Sequence, residues 1–123
     1  MNVSTFRKVL EEFQEGESAL LDIKRTEYAS EDGDVLENFK TLGQLLHLQP
    51  SQIAVILLAK HIQGVTKQVM DRKFLWAWVD SEGEGTAEGL KQRIADARNY
   101  LTLLAACIEE EATNAPENAD RPG

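Results

Sequence analysis

The sequence predicts an all-α fold, a compact bundle of four to five helices that assembles as an oligomer. Apolar residues recur at helical spacing along most of the 123 residues, and no run alternates apolar residues with polar β-formers. This length and an apolar fraction of 42% suit one domain with a real core. We expect residues 1–111 to form that domain and residues 112–123 to be a disordered acidic tail.

A first helix is predicted over residues 4–29, with Ser4 or Thr5 as its capping residue. Gly16 lies near the middle, so the sequence leaves open one long helix or two pieces bent at the glycine. The apolar stripe that predicts this helix is formed by Val3, Phe6, Val9, Leu10 and Phe13, and continues with Ala19, Leu20 and Ile23.

Two further helices follow in the middle of the chain. The spacing of Asp34 and Glu37 is that of an acidic capping box, which predicts a second helix ending near Leu46. A third helix is predicted from Pro50 toward Met70, because proline suits the first turn of a helix. Its first half is apolar on every side, which predicts a central, surrounded helix over residues 53–59.

An aromatic segment, a loop and a fourth helix complete the predicted fold. The aromatic segment, residues 74–79, supplies a fifth helix if it is helical. Residues 81–85 predict a loop, and Thr86 can cap the helix that follows. That helix has an apolar seam and an opposite polar face: the seam is Leu90, Ile94, Ala97, Leu101, Leu104 and Ile108, and the polar face is Glu88, Gln92, Asp96 and Asn99.

Charge, cysteine content and hydropathy exclude several classes of protein. Acidic residues outnumber basic ones 21 to 13, and the net charge of −8 argues against broad DNA or RNA binding. The single cysteine, Cys107, cannot form an internal disulfide or a cysteine-based zinc site. The longest apolar run is too short to span a membrane, and no secretory signal is evident. We therefore expect a cytoplasmic protein that does not bind membranes.

Two anomalies indicate a buried site or a subunit contact. The commonest interpretation of a polar helix face is that it is solvated. Here, however, the polar face of the fourth helix becomes apolar one turn later, at Leu103 and Cys107. This change indicates that the face lies against another subunit or an enclosed site. Lys60 shares a face with apolar residues, so it needs water, a carboxylate such as Asp96 or a bound phosphate. The apolar excess of the third and fourth helices predicts a homo-oligomer.

Five short segments between residues 18 and 108 carry a family resemblance: Lys24–Tyr28, Asp34–Phe39, Lys60–Ile62, Glu88 and Ile94–Tyr100. Together they resemble phage and prophage proteins of the nucleotide modification associated domain 1 type. More distantly, they are similar to the all-α, MazG-like NTP pyrophosphohydrolases. The resemblance implies a helical oligomer that handles a nucleotide in a phage-infected or bacterial cytoplasm. In the pyrophosphohydrolases, acidic pairs on two helices hold Mg²⁺ and help a water attack the triphosphate.

Carried onto this chain, the resemblance implies a metal site and a ligand site. Asp96 and Glu88 would be catalytic, and with Glu27 they would hold Mg²⁺ as the cofactor. The residues that would bind a small nucleotide are Lys60, Arg93, Asn99, Tyr100, Tyr28 and Asn38.

The chain also departs from the family pattern. The position one turn before Asp96, where an acid is expected, is Gln92, a poor Mg²⁺ ligand. Ala29 replaces the usual glycine, and the pair Glu11-Glu12 falls too early to be the expected Glu-Glu motif. Three functions stay open: Mg²⁺-dependent hydrolysis of a nucleoside triphosphate or modified nucleotide, nucleotide binding without catalysis, and a helical interaction module that binds its partner through residues 76–78.

Overall fold

A computed structural model of the chain describes residues 1–28, 33–80 and 87–114. A two-residue antiparallel pair, β1 (Val79–Asp80) and β2 (Ala87–Glu88), lies between the third and fourth helices. The described residues contain four helices: α1 (Val3–Tyr28), α2 (Glu37–Leu46), α3 (Pro50–Asp71) and α4 (Leu90–Asn114). The predicted helical fold is confirmed, and the short β-pair is an addition to it.

α1 is one continuous helix that passes through Gly16 without a break. Its first turn is capped by Asn2, whose Oδ1 accepts a hydrogen bond from the Thr5 amide at 2.8 Å. The prediction of Ser4 or Thr5 as the cap was wrong, because the helix begins one residue earlier and takes its cap from the residue before it.

The start of α2 differs from the predicted capping box. Asp34 Oδ1 accepts from the Leu36 amide at 2.8 Å, and Asp34 also forms an ion pair with Lys40. α2 begins only at Glu37, and Leu36 precedes it without a side-chain cap. Asp34 therefore stabilises the turn before the helix instead of capping α2. Its carboxylate binds the Leu36 amide and the Lys40 ammonium, so it is not available to an amide of the first helical turn.

α3 begins where Pro50 predicted it. Gln52 Oε1 accepts from the Gln49 amide at 2.8 Å. A residue far along the chain also binds the N-terminal turn of α3: the Ser51 amide and hydroxyl donate hydrogen bonds to the Glu111 carboxylate at 3.2 and 2.8 Å. The last turns of α4 thus satisfy a free amide in the first turn of α3.

The core lies where α2, α3 and the second half of α4 meet. Contacts near both ends of α3 show that it runs antiparallel to α4, because Ser51 meets Glu111 and Gly64 lies beside Arg93. α1 packs along the other side of α4. The buried side chains of this core are Leu36, Phe39, Ile53, Ala54 and Cys107.

The prediction that α3 is surrounded was wrong for this single chain. Ile53 and Ala54 are buried, but Val55 and Ile56 are 49% and 54% exposed, and Ile62 is 47% exposed. α3 packs through one face only, since α1 and α2 do not cover its outer side. A row of apolar side chains therefore remains in contact with water.

The aromatic segment is not helical. It runs across the start of α4, where the amides of Leu90 and Lys91 donate to the carbonyls of Leu75 and Ala77 at 3.1 Å each. These backbone contacts satisfy free amides at the helix start. The predicted cap, Thr86, lies outside the described residues.

α4 continues to Asn114, three residues past the domain boundary that we predicted. The rest of the predicted tail, residues 115–123, lies outside the described part of the chain. Among the described helices, none is by itself long and apolar enough to cross a bilayer. α2 and α3 reach that length and composition together, with a bend of 100° between them.

Candidate functional site

Two residues of the predicted polar face of α4 lie inside the molecule. Asp96 and Asn99 are each only 3% exposed, whereas Leu101 and Ile108 of the predicted apolar seam are each 52% exposed. Of the readings that the sequence left open for this face, the solvated one is therefore wrong at Asp96 and Asn99, which are covered. Burying a carboxylate and an amide is costly unless each has a partner, so their surroundings decide what they do.

Asn99 and its neighbour Arg98 hold α1 against α4. Asn99 Nδ2 donates to the backbone carbonyl of Glu17 at 3.1 Å, and Arg98 forms an ion pair with the Glu17 carboxylate. One N–H of the buried Asn99 amide is thus used in joining two helices.

Tyr100 is packed between two rings. Its ring centroid lies 4.7 Å from that of His61 and 6.3 Å from that of Phe39, the latter edge to face. Both contacts belong to the interior where α2, α3 and α4 meet. Of the other ligand residues expected from the sequence, Asn38 is exposed on α2, and the side chain of Tyr28 is outside the described residues.

Of the three acids expected to hold Mg²⁺, the two whose side chains are described lie in different surroundings. Glu88 is exposed on β2 and accepts a hydrogen bond from Gln92 Nε2 at 3.3 Å, so it precedes α4 instead of lying on it. Asp96 is buried two turns into the helix, and the side chain of Glu27 lies outside the described residues. Within the residues that are described, no group of three histidine, cysteine or acidic side chains could hold a metal ion.

Two cations expected to bind phosphate differ in their surroundings. Lys60 is exposed on α3, and no ion pair joins it to Asp96 in the described structure. Arg93 is partly buried: its Nε atom donates no hydrogen bond to any described group. Its Nη1 atom reaches the backbone of α3, where a Cβ on Gly64 would lie 3.5 Å away. Arg93 is therefore a half-buried cation at the α3–α4 contact, with one buried N–H that no described group accepts.

A cleft of about 590 Å³ lies elsewhere, at the end of the molecule where α2, the start of α3 and the end of α4 meet. Among the described residues that line it, Lys40 is the only cation, and it is already paired with Asp34 and Glu110. Glu110 and Glu111 also line the cleft. Carboxylates repel phosphate, so this cleft does not suit a nucleotide.

Sequence reasoning missed a cluster that joins α1 to the aromatic segment. One Glu12 oxygen accepts from Trp78 Nε1 at 2.9 Å and from Lys91 Nζ at 2.7 Å. The Trp78 ring lies 5.3 Å from that of Phe13 and covers Gly16. Glu12, Phe13 and Gly16 share one side of α1 at helical spacing, which is the signal that could have suggested a common partner.

This cluster predicts acid-sensitive stability. Hydrogen bonds from Lys91 and then Trp78 lower the pKa of Glu12 below its ordinary value of 4.5. A carboxyl group with a lowered folded-state pKa stabilises the protein above its unfolded-state pKa, and this contribution disappears as pH falls through the folded value. We expect Glu12→Gln to lower the urea midpoint at pH 7, and the difference from wild type to shrink below about pH 5.

Glu15→Gln is the matched control, since Glu15 is exposed on the same helix. Its urea midpoint should stay close to that of wild type at both pH values. If Glu12→Gln and Glu15→Gln lose the same stability at pH 7, the contact with Lys91 and Trp78 does not contribute as described.

Comparison with known protein families, curated proteins and solved structures finds no match to this chain. The resemblance to nucleotide-handling phage proteins therefore remains a prediction from short motifs.

Proposed function

We propose that this chain is a nucleotide-handling protein of a phage or bacterial cytoplasm that binds a small phosphorylated ligand at the α3–α4 contact. The observation that carries the proposal is Arg93, whose Nε is buried and donates no hydrogen bond to the described residues. Buried donors normally have acceptors, and an unpaired one favours a site where a ligand supplies the acceptor. A phosphate oxygen is the strongest such acceptor for a guanidinium group.

Binding without catalysis fits the acidic residues better than hydrolysis does. Hydrolysis would need Mg²⁺ held by several carboxylates, as Glu27, Glu88 and Asp96 were expected to do. Asp96 is enclosed, and Glu88 is on an exposed strand bound to Gln92. Sequestration or sensing of a nucleotide requires Arg93 and a shaped surface, and it requires no bound metal.

The self-association predicted from sequence is part of this proposal. Val55, Ile56 and Ile62 on α3 and Leu101 and Ile108 on α4 are each about half exposed. A second copy of the chain would remove these apolar side chains from water, which is the main favourable contribution to most protein association.

The proposal is tested by calorimetric titration of a panel of nucleoside mono-, di- and triphosphates, with and without Mg²⁺. We expect Arg93→Ala to weaken binding by about ten- to a hundredfold, because charged hydrogen bonds contribute about 1.5–3 kcal/mol. Arg93→Lys should be intermediate, since it keeps the charge but loses the Nε donor. Lys67→Ala is the matched control: it removes one positive charge from an exposed position on α3.

Unchanged affinity in Arg93→Ala would contradict the binding site. Product analysis in the same samples separates the two functions. Mg²⁺-dependent release of pyrophosphate that is lost in both Asp96→Asn and Glu88→Gln would establish hydrolysis, whereas recovery of intact nucleotide would establish binding alone.

A further inference from the structure

The outer face of α3 is exposed and uncharged along most of the helix. A solvated helix face normally carries charged side chains, but Lys60 and Lys67 lie only at one border of this face. We call the uncharged face the α3 strip. It is defined by Val55, Ile56, Ala59, Ile62, Gln63, Thr66, Val69 and Met70, all of which are exposed.

Five residues of the α3 strip have the spacing of a seam between paired helices. Val55, Ala59, Ile62, Thr66 and Val69 follow one another at intervals of four, three, four and three residues, so they lie in one row along the helix. The same alternation of intervals is the heptad pattern through which two helices pack side by side. The row lies opposite the buried side of α3, so packing among the described residues leaves it in contact with water.

The row is also symmetric about Ile62. Val55 lies seven residues before Ile62, and Val69 lies seven residues after it. If two copies of α3 pair antiparallel with Ile62 at a two-fold axis, Val55 of each copy meets Val69 of the other, and Ala59 meets Thr66. The row is therefore complementary to itself, which is what a two-fold contact between identical chains requires.

The residues beside the row favour antiparallel pairing over parallel pairing. Ile56, Gln63 and Met70 lie on one side of the row, and all three are exposed. In an antiparallel pair this side of one helix meets the same side of the other, so Ile56 packs on Met70 and the two Gln63 amides can hydrogen-bond to each other. In a parallel pair it would meet the other side, where Leu58 and Val65 are already half-buried within their own chain.

The whole chain exposes more surface than a monomer of its size. Its accessible area is 9095 Å², whereas a folded monomer of 13.7 kDa exposes roughly 6,600 Å². The excess is about 2,500 Å². Even if half of it belongs to segments outside the described residues, the remainder exceeds the roughly 800 Å² that each partner buries in an interface of standard size. The chain therefore has enough surplus surface for a stable dimer.

We propose that the α3 strip is the contact of a two-fold dimer, in which the α3 helices of two copies pair antiparallel with Ile62 at the axis. This inference rests on the self-association included in the proposed function, and it locates that self-association without requiring a nucleotide. A second copy fits better than a charged partner, because the α3 strip offers no charged side chain to pair with one.

Light scattering of the ligand-free protein tests the contact. Wild-type protein should have the mass of a dimer, and Ile62→Glu should be a monomer, because pairing would bury two carboxylates together at the axis. Ile62 is 47% exposed in the single chain, so this variant should keep the far-UV circular dichroism of wild type. Leu45→Glu is the matched control: it places the same charge on an exposed leucine of α2 and should remain a dimer.

Cysteine cross-linking tests the direction of the two helices. In an antiparallel pair, residue 55 of one copy lies beside residue 69 of the other, whereas the two copies of residue 55 are about 21 Å apart, too far for a disulfide. Co-expressed Val55→Cys and Val69→Cys should therefore form a covalent dimer on oxidation, and each variant alone should not. Native Cys107 is buried and does not compete.

Three results would overturn the proposal. They are a monomeric wild-type protein, a dimer that persists in Ile62→Glu, and a covalent dimer of Val55→Cys alone, which would indicate parallel helices. Binding of a monomeric wild-type protein to phosphatidylglycerol vesicles that is lost in Ile62→Glu would assign the α3 strip to a membrane surface. A protein that binds no nucleotide but forms this dimer would contradict the ligand site of the proposed function and leave the α3 contact in place.

Discussion

Phe39→Ala is expected to lower the free energy of unfolding by about 3–5 kcal/mol. Phe39 is 6% exposed, belongs to the core formed by α2, α3 and α4, and meets the Tyr100 ring edge to face. Truncation would remove a large buried side chain and leave a cavity. The walls of that cavity cannot close easily, because Ile53 and Ala54 are fixed on α3. Urea denaturation followed by far-UV circular dichroism measures the loss.

Leu45→Ala is the matched control on the same helix. Leu45 is 73% exposed, so its truncation should change the free energy of unfolding by no more than about 0.5 kcal/mol. A similar loss of stability in the two variants would mean that both residues act only through helix formation in α2. Phe39 would then not pack on α3 and α4 as described.

Gly16→Ala is expected to destabilise the protein by about 2 kcal/mol, against the usual preference of helices for alanine. Helix propensity by itself favours alanine over glycine by about 1 kcal/mol. Here a Cβ would lie 2.7 and 2.8 Å from Cζ3 and Cζ2 of Trp78, and closer still to Cη2. The ring is held by Glu12 and packs on Phe13, so it cannot move away freely. Overpacking of this kind costs about 1–3 kcal/mol and often more when the neighbour is fixed.

Gly64→Ala provides the comparison, since Gly64 also lies within a long helix. Among the described residues, its Cβ would meet only Arg93 Nη1, at an ordinary contact distance of 3.5 Å. We expect it to be neutral or to stabilise by up to about 1 kcal/mol. Opposite signs in the two variants would isolate the Trp78 contact, whereas stabilisation by both would exclude close packing of Trp78 on α1.

The helices were predictable from local patterns, and their partners were not. Apolar spacing and Pro50 place α2, α3 and α4 within a few residues of their observed limits, because these signals act within one or two turns. The cap of α4 was missed because it comes from the carbonyls of Leu75 and Ala77, which have no side-chain signature. The pair β1–β2 is too short to produce an alternating pattern.

The candidate site was harder to predict, for a reason that Asp96 and Asn99 illustrate. Their spacing correctly indicated a shared face, and the apolar residues one turn later indicated that this face is covered, but sequence could not tell that Asn99 binds the Glu17 carbonyl. Glu12 was set aside as too early in the chain for a metal site, yet it binds both Trp78 and Lys91. Such contacts depend on how α1 lies against α4, which no local pattern specifies.

The contact between Ser51 and Glu111 has a consequence for the order in which the protein can form during synthesis. The two residues are separated by 60 positions, so the start of α3 leaves the ribosome long before its partner does. Until then the nascent α3 lacks both that bond and the apolar face of α4. Its leucines and isoleucines stay exposed during this interval, and exposed apolar segments of incompletely folded chains are prone to misassociation. The fold therefore becomes complete only when the end of α4 has been translated.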